Sequence, residues 1–98
     1  GFSIWNDIKR AVWSAEILKA LSHPIRLQIV ALLCAGPRHV SGMAKQLEQK
    51  QSIISQHLRI LRMNGLVVGK RQDGFTYYSL AEQHLRELIR CIESCRGH

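Results

Sequence analysis

The sequence predicts a mainly α-helical domain of about five helices carrying one two-stranded β-hairpin. Three observations predict it. Apolar residues recur at helical spacing in five separate stretches of the 98-residue chain. Only two neighbouring runs, 66–71 and 75–80, turn β-branched and aromatic, and Asp73-Gly74 lies between them. The length is that of a single domain, taken here as 1–98.

Residues 3–20 open the chain with Ile4, Ile8, Val12, Ala15 and Leu18 on one helical stripe, and Trp5 and Trp13 add apolar area beside it. So apolar a helix in so small a domain needs a cover, either the core or a second subunit. Ser22-His23-Pro24 breaks this helix. Pro24 suits the first position of the next one, where its missing N–H has no partner to lose. Residues 24–35, PIRLQIVALLCA, form a mostly buried second helix that Gly36-Pro37 ends. A short third helix, 40–48, points Val40, Met43, Ala44 and Leu47 inward.

After a turn at Gln49-Lys50 comes QSIISQHLRILRMNG, 51–65. Ile54, Leu58 and Leu61 fall at i, i+4 and i+7, a single stripe. The opposite face carries Gln51, Ser52, Ser55, Gln56 and Arg59, side chains able to bond base edges and phosphates. Asn64-Gly65 stops the helix, because Gly tolerates the left-handed conformation there. Two helices at a tight turn (40–64), the second polar outside, make a helix-turn-helix pattern. The hairpin at 66–80 makes it a winged helix, with Lys70 and Arg71 at the tip, where a cation reaches a phosphate or a minor groove. Residues 81–95, AEQHLRELIRCIESC, form the last helix, its apolar face made by Leu85, Leu88, Ile89, Ile92 and Cys95. The terminal stretches 1–20 and 81–98 flank a complete winged helix, so they are expected to build a homodimer that matches a two-fold DNA site.

Charge is localised. The net charge is +7, yet between Arg38 and Arg71 seven basic residues face Glu48 alone, while the remainder carries seven basic and six acidic residues. Basicity centred on one helix and the hairpin suits double-stranded DNA. An RNA-binding or protein-interaction module is the alternative, but the basic helix lacks the interleaved aromatics on which bases stack. No nucleophile–base–carboxylate set or phosphate-cradling Gly loop points to an enzyme. No apolar run reaches the roughly 18 residues of a membrane span, and no secretory signal is visible, although the chain starts at Gly1. Three cysteines without a disulfide framework suggest a reduced, cytoplasmic setting.

SHPIRLQIV (22–30), ISQHLRILRMNGLV (54–67) and RQDGFTYYSL (71–80) resemble three signatures of the ArsR/SmtB family of bacterial winged-helix repressors. The resemblance runs from Leu18 to Cys95. It implies a homodimer through the first and last helices, operator DNA bound by the 51–65 helix and the wing, and release by a metal ion or a thiol-reactive signal. By position it makes Ser52, Ser55, Gln56, His57 and Arg59 DNA-reading residues and Lys70 and Arg71 wing contacts. Lys50 stands where the family often has a capping Ser, which leaves Ser52 as the substitute cap. Ile53 replaces a small or hydroxylated residue and either touches a thymine methyl or packs. His57, between the polar and apolar faces, is either a DNA contact or a buried hydrogen-bonding group.

The resemblance also implies effector sites. A soft-metal Cys-x-Cys belongs in the helix before the recognition helix, but HVSGMAK (39–45) has no cysteine, which argues against an arsenic or cadmium site. A second metal site lies on the last helix across the dimer. At its spacings this chain has Glu82, His84, Cys95 and His98, a donor set sound for zinc or another transition metal. Cys95 and His98, at i and i+3, would share a helix face. Thiol sensing is the rival, through Cys34 in the second helix and Cys91 and Cys95 in the last. Cys34 falls about one turn late for that role, and Cys91 and Cys95, on one helix, are poorly placed to bond each other. Arg90 and Arg96 would lower the pKa of the neighbouring thiols; the plainer reading is that the cysteines are small buried hydrophobes.

Overall fold

The computed structural model describes residues 3–95. A single 3-10 turn, Ile4–Asn6, leads into α1 (Ile8–Leu21) and α2 (Pro24–Leu33). The two-residue strand β1 (Arg38–His39) precedes α3 (Val40–Leu47) and α4 (Gln51–Met63). The hairpin β2 (Val67–Gln72) and β3 (Phe75–Leu80) follows, and α5 (Leu85–Ser94) ends the described chain. Five helices and a β-hairpin wing are the expected architecture.

The joints explain the differences from the expected boundaries. The continuous helix expected at 3–20 is split at Asp7, whose carboxylate accepts from the backbone N–H groups of Lys9 and Arg10 at 3.0 and 3.4 Å. That side chain starts α1 afresh at Ile8. Ser52 does not cap α4. The N-cap is Lys50, with no side-chain cap, and its carbonyl accepts from Ile53 and Ile54. The helix expected at 81–95 starts only at Leu85, because the Ala81 N–H is held by the Leu66 carbonyl at 2.9 Å and the Glu82 carboxylate takes the His84 N–H at 3.2 Å.

The hairpin turn needs two left-handed residues, and Asp73 (φ 52°) and Gly74 (φ 84°) supply them. The register then pairs Val67 with Leu80 and Arg71 with Thr76. β1 adds a third strand to the two-stranded wing, with Arg38 opposite Tyr78 and His39 opposite Tyr77.

The core is drawn mainly from α2, α3 and α4. Ile29, Leu33, Met43, Ile54, Leu58 and Leu61 are fully buried in it. α1 contributes Ala20 and Leu21 only from its last turn. The expected forward stripe lies outside: Ile4 in the 3-10 turn and Ile8, Val12 and Leu18 of α1 are all more than half exposed. Beyond that last turn, the core does not cover the apolar stripe expected on the first helix. Among the described residues no helix is long and apolar enough to cross a membrane.

Candidate nucleic-acid interface

α4 is seated by Ile54, Leu58 and Leu61, all at most 1% exposed, which press into α2 and α3. Gln51, Ser52, Ser55, Gln56 and Arg59 are exposed on the other side. Among the described residues none of these five side chains has a hydrogen-bond partner in the chain. They form a polar ridge with donors and acceptors free, on a helix whose position the core fixes. Ile53 is half-buried at the edge of the ridge.

His57 is not on that ridge. It turns towards α2 and lies against His23, ring centroids 4.3 Å apart and planes tilted by 38°. Its Nδ1 is buried without a partner among the described residues. Burial, then the neighbouring His23 and Arg26, hold its pKa below the ordinary histidine value. The position between the two faces is resolved inward, towards packing.

Lys70 and Arg71 lie exposed near the tip of β2. The register puts Thr76 across from Arg71, and Thr76 lines a cleft with Ser41 and Gln51 between the starts of α3 and α4 and the wing. Ser41 and Thr76 join this surface without having been singled out from the sequence. Counting outward from the Asp73-Gly74 turn gives Thr76; nothing local marks Ser41, because β1, which sets the wing against α3, is two residues long. Phe75 lies over His39, centroids 5.4 Å apart, and stays half exposed.

The effector residues are distributed differently from the ridge. Glu82 and His84 meet in the turn before α5, with Glu82 Oε1 2.7 Å from His84 Nδ1. The hydrogen bond lowers the Glu82 pKa and raises that of His84. Cys95 lies at the other end of α5, about 15 Å away at 1.5 Å per residue. It is extended (φ −70°, ψ 136°) and exposed; its expected partner His98 lies outside the described residues. Among the described residues no three His, Cys, Asp or Glu side chains form a metal-holding group.

Cys34 caps the end of α2, half-buried, and burial pushes its thiol pKa up. α5 reaches it through Arg86, whose Nε donates to the Cys34 carbonyl at 2.9 Å. Cys91 and Cys95 are exposed, the Cys95 Sγ lying 3.4 Å from the Cys91 carbonyl.

Residues 23–68 match the family model described as bacterial regulatory protein, arsR family. The HTH-type transcriptional regulator NmtR of Mycobacterium tuberculosis is 40% identical over 83 residues, 85% of this chain and 69% of that one. Another mycobacterial relative, a transcriptional repressor, is matched over only 56% of its length, so this chain spans little more than half of it. Among solved structures, the transcriptional repressor BigR from Xylella fastidiosa superposes with a TM-score of 0.84 at 32% identity, covering 98% of this chain and all of that one. The homodimeric winged helix-turn-helix DNA-binding domain of Mb0332 from Mycobacterium bovis gives 0.77 at 32% identity, covering 95% and 85%.

Proposed function

The chain belongs to the ArsR family of bacterial regulatory proteins, which are DNA-binding transcriptional regulators and not enzymes, and from that premise we propose that it is a dimeric repressor of an operator with two-fold symmetry. The observation that carries this reading is the ridge of Gln51, Ser52, Ser55, Gln56 and Arg59, exposed and unengaged beside a buried apolar stripe. Its length suits a major groove, and Lys70 and Arg71 of the wing reach the flanking backbone or minor groove. The bare stripe of the first helix, with Ile92 of α5 beside the buried Leu85 and Ile89, pairs the protomers. Mb0332, whose described domain is homodimeric, supports that assembly.

Release from DNA is assigned to a thiol-reactive signal, with a metal held between protomers as the second reading. Cys91 and Cys95 are exposed one turn apart at the end of α5, and Cys34 lies on the α2 end to which α5 is tied.

The test is a fluorescence-anisotropy titration of an inverted-repeat duplex selected from random DNA by the protein, against scrambled duplex and single-stranded RNA. The selected repeat should bind best. The log–log salt slope should be about −0.9 per neutralised phosphate, and Gln56→Ala should erase most of the preference for the repeat. Equal binding of scrambled DNA, or a preference for RNA, sinks the reading.

A further inference from the structure

Two helices of the DNA-binding unit are capped by imidazoles. His23 precedes α2, and its Nδ1 accepts the Ile25 N–H at 3.1 Å. His39 precedes α3, and its Nδ1 accepts the Gly42 N–H at 3.1 Å, with the Ser41 hydroxyl 2.8 Å away. A backbone N–H only donates. Each Nδ1 must therefore present its lone pair, so each ring is neutral with its proton on Nε2. A protonated imidazole carries N–H on both nitrogens and caps nothing. It would also place a cation at a helix N-terminus, the positive end of the helix dipole.

The third imidazole ties the caps to the DNA-binding helix. His57 of α4 packs against His23, ring centroids 4.3 Å apart and planes tilted, with its own Nδ1 buried and unpartnered among the described residues. The charged groups around the pair are mostly cationic. Arg26 of α2 lies beside His57, its Nε also buried without a partner. From α1, Glu16 and Lys19 line a cleft with Arg26 one turn along α4, at Ile60 and Asn64, and Glu16 is its one carboxylate. Around His39 lie Phe75 and Tyr77 of β3, with Arg38 adjacent in β1. No carboxylate among these groups is paired with any of the three rings.

We propose that His23, His39 and His57 form an acid-sensitive latch: neutral, they cap α2 and α3 and seat α4, and protonation below neutral pH unseats the DNA-binding helix. His57 is thus a positioning residue that acts through His23, not a base reader. The burial and cations that hold its pKa below the ordinary value have the same direction.

The sign of the effect separates this device from simple electrostatics. Protonating histidines adds positive charge, which by itself tightens binding to a polyanion. The latch predicts the reverse. Operator affinity should fall on the order of tenfold between pH 7.5 and 5.5 as the capped, neutral state loses population. His23→Asn and His39→Asn keep a cap that does not titrate. Combined, they should flatten most of the fall, whereas His84→Asn should leave it intact. Nitrogen NMR of the free protein should find His23 and His39 as Nε2–H tautomers at pH 7.5, and thermal stability should fall in the same pH range. Affinity that rises or stays level on acidification overturns the proposal, as does a His84→Asn variant that loses the response, or an Nδ1–H tautomer at either cap. If the Asn variants fail to fold, the tautomer measurement on the wild-type chain still decides. If no duplex binds specifically at any pH, the repressor reading fails, while the tautomers and stability profile still test the latch.

Discussion

Ile54 fills the space between α4 and the core with no exposure at all. Truncating it to Ala removes three carbons without opening the site to water, and costs of this kind run to about 2–5 kcal/mol. Denaturant unfolding of Ile54→Ala measures the loss. Gln56→Ala on the opposite face should leave the midpoint within about 0.5 kcal/mol. The residue scale also holds two histidine trends of opposite sign. His57 resists protonation when folded, so the unfolded chain takes the proton first, and stability declines as pH drops below about 6.5. His84 gains from Glu82, so its contribution is present in acid and fades as pH rises through its folded value. It is fully exposed, and the effect on stability is correspondingly small. At this scale the sequence was partly legible. Ile54, Leu58 and Leu61 announced themselves by spacing. The capping histidines did not, because helix starts are usually read from Ser, Thr, Asp and Asn, and an imidazole lone pair leaves no pattern in composition. His23 was visible only as part of a break before Pro24.

Among the elements, the wing was the most legible and α5 the least. Asp73-Gly74 fixes a two-residue turn, and the turn fixes the register, so β2 and β3 follow from one dipeptide. β1 rests on two residues whose pairing with β3 is set by tertiary contact alone. α5 starts four residues later than its periodicity suggests. Leu66 and Glu82 capture the backbone of Ala81 and His84 first, and neither bond is encoded in the helical stripe. α5 and the turn before it carry most of the effector candidates, which gives this element a test of its own. An oxidant or persulfide should weaken operator binding of the wild-type protein several-fold, and Cys91→Ser with Cys95→Ser should abolish the response. Zinc should have little effect on either. If zinc releases the DNA and His84→Ala blocks that release, the signal is a metal held between protomers, and the thiol assignment falls.

For the whole molecule, the unresolved question in the sequence was what covers the first helix. Periodicity offered the core or a second subunit, and the fold leaves Ile8, Val12 and Leu18 bare along α1, with Ile92 nearly half exposed on α5. An isolated protomer would present apolar area that soluble domains of this size seldom leave open. Val12→Glu should therefore shift sedimentation from dimer to monomer. It should lower operator affinity by much more than it lowers affinity for a single half-site. The wild-type melting temperature should rise with protein concentration, as it must when folding and association are linked. A wild-type chain that sediments as a monomer at micromolar concentration would remove the basis for two-fold operator recognition.

The chain has only two tryptophans, and both sit in this uncovered stretch: Trp5 is 86% exposed and Trp13 56%. The ridge and the wing have none. Intrinsic emission therefore reports on whatever shields α1 and is nearly blind to the surface proposed for DNA. A blue shift on concentrating the protein would follow assembly without a label. The same signal, watched during a DNA titration, would show whether the duplex meets protomers already paired or draws them together.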